Sequence, residues 1–170
     1  MKTQRQEHPI PPLYDCESRI LILGSFPSVK SREGQFFYHH PQNRFWKVLA
    51  AVWGEPVPGS IAEKTDFLHR HHIALWDVIG SCEISGSSDS SIRQVEPNDL
   101  TPIFSAANIC GVYCNGSTSW QSYKKYTEAR IGIQAVQLPS TSPANAAWSL
   151  EKLTEAWGVI RAAADGNLWE

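Results

Sequence analysis

Paired cysteines are missing from this chain. Its four cysteines fall at Cys16, Cys82, Cys110 and Cys114 without a Cys-x-x-Cys pair, whereas zinc and iron–sulfur sites normally use tighter paired spacing. The expectation is reduced, largely buried thiols and no metal. An excess of one charge is missing too: 15 Lys and Arg against 17 Asp and Glu leave a formal net charge of -2. Proteins that coat nucleic acid electrostatically are usually strongly basic. Non-specific coating is therefore not expected, but a local site that grips a few phosphates is allowed. No stretch approaches the ~20 apolar residues of a membrane span, and the first 20 residues hold charges and prolines without an apolar leader core. There is no internal repeat, no low-complexity tract and no Gly-x-Ser-x-Gly elbow of a serine hydrolase. These absences predict a soluble, cytoplasmic monomer with no membrane partner.

What is present is apolar and ordered. Of 170 residues, 42% are hydrophobic and 11% aromatic, enough for one domain over residues 1–170 that buries roughly 70% of its unfolded surface. Residues 1–18, with Pro9, Pro11 and Pro12, read as an extended lead-in. Continuous apolar runs at 19–24, 73–79, 109–114 and 133–138 suit strands buried on both faces. Helical patterns occupy 43–53, 61–72, 100–107, 117–129 and 145–164, with Ser117 and Asn145 as N-cap candidates. Residues 81–91, rich in Ser and Gly, read as an ordered loop. Strands alternating with helices predict an α/β fold, a parallel sheet covered by helices on both faces. In such sheets ligands bind beyond the carboxyl ends of the strands.

The segments at those ends carry the chemistry. After the first strand come Gly24-Ser-Phe-Pro-Ser28 and then Phe36-Phe-Tyr-His-His-Pro-Gln-Asn-Arg-Phe-Trp46. Aromatics offer stacking faces to a flat ligand, and an Asn amide offers both a donor and an acceptor. Tyr38 and Asn43 are the functional candidates, whereas Phe45 and Trp46 read as helix core. Leu138-Pro-Ser-Thr-Ser-Pro-Ala-Asn145 sets Ser140, Thr141 and Ser142 at a helix start, suited to phosphate. Asn115 follows the third strand and Asp77 the second, with Asp89 in the serine loop. His69, His71 and His72 with Arg70 read as a solvated basic tail on a helix C-terminus. His39 and His40 lie in the segment 36–46, as cationic rings that could approach phosphate.

Three strings, in order and each at a strand end, resemble the uracil-DNA glycosylase superfamily. They are Gly24-Ser-Phe-Pro-Ser28 continuing to His40-Pro-Gln-Asn-Arg-Phe-Trp46, Leu75-Trp-Asp-Val-Ile79 with Gly86-Ser-Ser-Asp89, and Leu138-Pro-Ser-Thr-Ser-Pro-Ala-Asn145. The resemblance spans about residues 19–157 and is greatest to the hypoxanthine-DNA (deoxyinosine) glycosylase branch, although His-Pro-x-Asn-Arg-Phe-Trp is also typical of mismatch-specific uracil glycosylases. It implies a three-layer α/β/α sandwich around a four-stranded parallel sheet. It also implies monofunctional hydrolysis of the bond joining a deaminated base to deoxyribose, without metal or organic cofactor. Members flip the nucleotide out of DNA before chemistry, because a stacked base is out of reach.

On the family pattern Tyr38 stacks on the flipped base, while Ser140 and its neighbours clamp phosphate and push into the duplex. Many members carry Asp or Asn two residues after the glycine of the first motif, where this chain has Phe26. The second motif often starts with His or Asn and here starts with Leu138. Both departures match the hypoxanthine branch and shift catalysis to Asn43. Its neutral amide is a poor base, so its contribution is electrostatic and positional. The expected site is thus Asn43 for catalysis, Phe26, Tyr38 and Asn115 around the base, and Ser28, Ser140, Thr141 and Ser142 toward DNA. Asp77 and Asp89 stabilise a cationic sugar or cap loops. A uracil or mismatch glycosylase, and a silent module that binds damaged DNA, remain the alternatives.

Overall fold

A computed structural model describes residues 3–166. Its elements run β1 (Gln4–Glu7), β2 (Ile20–Gly24), α1 (Val29–Gly34), α2 (Phe45–Trp53), α3 (Ile61–Arg70), β3 (Ile73–Asp77) and β4 (Ile79–Ile84). Then follow β5 (Arg93–Pro97), α4 (Thr101–Ala106), β6 (Gly111–Asn115), α5 (Ser117–Tyr126), α6 (Glu128–Ile131), β7 (Ala135–Leu138), α7 (Leu150–Trp157) and α8 (Val159–Asp165).

The central sheet has the order β3-β2-β6-β7, with every pair parallel. Strand β2 shows why the layers form. Alternate side chains of a strand point to opposite faces, so Ile20 and Ile22 enter one core and Leu21 and Leu23 the other, all fully buried. The first core is closed by Phe45, Val48 and Leu49 of α2, Phe67 and Leu68 of α3, and Leu153 and Trp157 of α7. The second is closed by Ile103 of α4, Tyr123 of α5, and Ile79, Cys82 and Ile84 of β4. Each such aliphatic burial contributes roughly 1.5–3 kcal/mol. The three-layer α/β/α sandwich expected from the resemblance is therefore present.

The sequence reading differs from the fold in several places. The lead-in is not simply extended: β1 pairs antiparallel with β4, and β4 with β5, making a second, three-stranded sheet. Residues 1–2 of that lead-in, like residues 167–170, lie outside the described part. The run at 73–79 is interrupted at Val78, so that β4 occupies what read as loop. Neither β4 nor β5 has the apolar alternation that marks a strand, because shifts in their pairing register break the period. The C-terminal helix starts at Leu150, capped by the Ser149 side chain rather than Asn145, and it is divided at Gly158 into α7 and α8. Helix α5 is capped at Gly116 and stops at Tyr126, with Thr127 separating it from α6. The histidine tract is not a solvated tail either. His71 Nε2 lies 2.6 Å from Glu55, His69 lies 3.0 Å from Asp15, and Arg70 bonds Glu55 and Asp66.

Candidate active site

The carboxyl ends of β2, β3 and β6 and the turn after β7 enclose a cavity of about 530 Å³. Phe26, Ser28, Tyr38, Asn43, Asn115, Ser140, Thr141 and Ser142 all line it, as do Asp77 and Asp89. Sequence reading thus selected residues that the fold brings together from positions more than a hundred apart. His40 also lines the cavity, whereas His39 packs over Gly34.

Tyr38 forms one wall. Its ring stacks on Phe45, with centroids 3.9 Å apart and planes 17° from parallel. Phe45 is wholly buried while Tyr38 borders the cavity, so the pair presents a rigid aromatic wall to a flat ligand. Tyr38 has φ +51, a left-handed conformation costing roughly 1–2 kcal/mol for a residue with a side chain, held here by that stacking. Its hydroxyl is buried and has no hydrogen-bond partner among the described residues. Burial, reinforced by the charge of Asp77, raises the phenol pKa, and the neighbouring Asn115 amide opposes this only in part. The ring is a neutral phenol at any physiological pH.

Asn43, also on the cavity wall, has a fixed polarity. Its Oδ1 accepts the Phe45 N–H at 2.9 Å and the Thr141 hydroxyl at 2.8 Å. A backbone N–H can only donate, so the oxygen is assigned and Nδ2 is the end left over. The helix itself begins at Phe45 rather than Asn43 or Arg44, with the Asn43 oxygen serving its first turn. One end of the amide is thus committed to the protein, while the residue borders the cavity.

Thr141 is a strut. It is fully buried, and Asn115 holds it at both ends: Nδ2 donates to the Thr141 hydroxyl at 2.9 Å and Oδ1 accepts its N–H at 3.0 Å. A buried hydroxyl engaged on both sides does not reach phosphate, which corrects the expectation for Thr141. Asn115 is accordingly a brace for the wall that holds Asn43. Ser28 caps α1 through Ser31 N–H, and Ser140 and Ser142 accept from Ser142 N–H and Ala144 N–H. The Ser140 and Ser142 hydroxyls make no donated bond among the described residues, whereas that of Ser28 donates to Ser31 Oγ at 3.2 Å; Ser87, Ser88 and Ser90 add to the cavity rim.

Two carboxylates complete the site. Asp77, at the end of β3, approaches Gly24 so closely that a Cβ there would lie 2.4 Å from Asp77 Oδ1 and 3.1 Å from the Tyr38 hydroxyl. Only glycine fits that position. Asp77 Oδ2 lies 2.7 Å from His8 Nε2 in a pair that is almost dry, with side chains 6% and 2% exposed. Asp89 accepts from the Ser25 hydroxyl at 3.1 Å. It sits exposed on the rim, yet desolvation there, with the charge of Asp77, outweighs its hydrogen bonds and raises its carboxyl pKa.

Sequence reasoning missed His8 and Arg44. Nothing in the lead-in marks His8, whose partner is 69 residues away. The Arg44 guanidinium donates to the carbonyls of Ser142, Asn145 and Trp148, clasping the loop after Thr141 onto α2. Among the described residues no cluster of three or more His, Cys, Asp or Glu is placed to hold a metal. Nor is any described helix long and apolar enough to cross a membrane.

This constellation can be compared with known proteins. A family model described as the uracil DNA glycosylase superfamily matches residues 11–161. The chain belongs to the uracil DNA glycosylase superfamily. A curated superfamily relative from Methanosarcina acetivorans, named Hypoxanthine DNA glycosylase, is 32% identical over 152 residues, covering 89% of this chain and 96% of the relative. One of the same name from Methanosarcina barkeri is 33% identical over 149 residues, covering 86% and 92%. A solution NMR structure from Methanosarcina acetivorans, described provisionally as a uracil DNA glycosylase, superposes with TM-score 0.80 at 29% identity, covering 95% of this chain and 99% of that one. Phe26 stands where the resemblance leads one to expect Asp or Asn, and the structure shows its setting. The ring is 8% exposed and edge-on to His8, 5.9 Å between centroids.

Proposed function

We propose that this protein is a monofunctional DNA glycosylase that releases hypoxanthine from deoxyinosine. The substrate class rests on one observation: two curated relatives bearing that name align over most of both chains. DNA carrying a deaminated base is the partner, and a flipped nucleotide is the form that fits a recessed cavity.

The residues supply a consistent mechanism. Water forms a bond to C1′ as the bond from C1′ to the base nitrogen breaks. The electron pair leaves with the base, and the attacking water gives up a proton to solvent. Positive charge grows on the sugar and negative charge on the base. Tyr38 supports the base plane, and the free Nδ2 of Asn43 donates to the departing base as its charge grows. Such a donor acts most in a site poor in water. Because Oδ1 is already engaged, Asn43 is assigned to the leaving base and not to activation of water. Asp89, exposed at the rim, is the carboxylate assigned to the sugar's positive charge. Ser28, Ser140 and Ser142 are assigned to backbone phosphate. Phe26 shapes the pocket without donating.

The test uses duplexes with a single hypoxanthine or a single uracil, followed by alkali, which cuts strands at abasic sites. Strand cleavage at hypoxanthine supports the reading; cleavage only at uracil replaces the substrate. No cleavage at either leaves a binding module.

A further inference from the structure

His8 belongs to no motif, yet its side chain is only 2% exposed and it bonds Asp77 of the cavity wall. Its ring orientation is fixed by an observation independent of Asp77: the backbone N–H of Ile10 donates to His8 Nδ1 at 3.2 Å. Nδ1 is therefore an acceptor, and in a neutral imidazole the proton then sits on Nε2. It follows that Nε2–H donates to Asp77 Oδ2 at 2.7 Å. The ring is further confined edge-on between Phe26 and Trp76, both with centroids 5.9 Å away. Asp77 Oδ1 is left at the wall beside Gly24 and the Tyr38 hydroxyl, a pure acceptor at the hydroxyl end of the stacking ring.

From this geometry we infer that His8 is a positioning residue: it fixes the hydrogen-bond polarity of residue 77, so that the cavity admits bases with a lactam edge. A lactam carries a ring N–H donor beside a carbonyl. Hypoxanthine and uracil share that edge, whereas adenine and cytosine present a bare ring nitrogen whose lone pair is repelled by a carboxylate oxygen. For adenine against hypoxanthine, and for cytosine against uracil, the distinction between parent and deaminated base is the distinction between these edges. Sites built to pair a specific polar group discriminate strongly, because the wrong ligand leaves buried groups unpaired. The inference deepens the proposed function and rests on it for the substrate, but it assigns Asp77 to reading the base rather than to the sugar cation.

Asp77→Asn provides the test because His8 decides which way the new amide faces. Nε2–H requires an oxygen, so the amide turns its NH2 toward the base and reverses the polarity there. Single-turnover release is measured for hypoxanthine and for unsubstituted purine, which has a lone pair at N1 and no N–H. The ratio of the two rates in one preparation is independent of how much protein is folded. The expected result is a fall in that ratio of about 10²-fold in Asp77→Asn, the scale of one buried polar contact. In Asp77→Asn/His8→Ala the amide is free to turn, and the ratio recovers in part. Equal losses for both bases, or a ratio untouched by either change, would overturn the inference and return Asp77 to a charge or scaffold role. If the wild type releases uracil instead, the same ratio is taken for uracil against cytosine. If it releases nothing, the catalytic reading fails on its own. The ratio is then read from affinities for hypoxanthine and purine duplexes, where equal affinities count against the inference.

Discussion

Two histidine–carboxylate pairs of nearly the same length occupy different regions of this molecule. His8–Asp77 spans 2.7 Å at the cavity wall and His71–Glu55 spans 2.6 Å on the outer surface near α3. Distance does not separate them. Burial and remaining valence do. Glu55 is also engaged by Arg70, with both guanidinium NH groups at 3.1 Å from Oε1, and His71 lies against Trp53 and Phe67. Both of its oxygens face partners. Asp77 keeps one oxygen at the cavity wall, and its partner is held from behind by a backbone N–H. A short histidine–carboxylate pair is a scaffold when all its valences close on protein and a recognition element when one stays open toward a cavity.

The largest expected stability effect lies in the buried pair. His8→Ala removes one partner of a nearly dry pair, and such changes destabilise by about 3–5 kcal/mol. Thermal or urea unfolding of His8→Ala beside Glu55→Gln checks the contrast, since a partly exposed pair contributes at most about 1 kcal/mol. Equal losses in the two variants would erase the distinction drawn between the regions.

Tyr38→Ala sharpens the same comparison from the ligand side. Removing the stacking wall should weaken binding of a hypoxanthine duplex by roughly 1–3 kcal/mol, read by fluorescence anisotropy. Unchanged binding and turnover would take Tyr38 out of the pocket's function.

The smallest effect is a pH dependence at the remote pair. Burial works against the Glu55 carboxylate, but hydrogen bonds from Arg70 and His71, with their charges, outweigh it and hold the pKa below the usual range. A lowered carboxyl pKa adds stability that is present above the unfolded-state value, roughly 4.3 for Glu. That stability is lost as pH falls through the folded-state value. The deficit of Glu55→Gln should therefore be visible near neutral pH and vanish in acid. A deficit that persists unchanged in acid would mean that the lost contact is not electrostatic.

Much of this was legible in the residues because buried parallel strands leave a strong signature. Ile20-Leu-Ile-Leu-Gly24 is apolar on both faces, and the residues that follow such strands converge at one end of the sheet. The antiparallel sheet was illegible for the opposite reason. Gln4–Glu7 has no apolar residue, since β1 is exposed along most of its length, and bulged pairing hides the period of β4 and β5. His8 follows that unmarked strand, and its role depends on a contact with Asp77 that no local pattern encodes. Thr141 was misassigned because a Ser-Thr-Ser string does not say which hydroxyl points inward. Asn43 was legible as a residue, but its polarity emerged only from the Phe45 N–H and the Thr141 hydroxyl.

That polarity is the central claim, and Asn43→Asp tests it most directly. Aspartate keeps the oxygen that accepts from Phe45 and Thr141 and replaces the Nδ2 donor with a second oxygen. Single-turnover hypoxanthine release and melting temperature are measured on the same preparation. The account predicts a melting temperature near that of the wild type and release slowed by about 10²-fold or more. Asn43→Ala, which loses the cap as well, should be both slow and less stable by roughly 1 kcal/mol. An Asn43→Asp protein that releases hypoxanthine at the wild-type rate would contradict the account and reduce Asn43 to the helix cap it also provides.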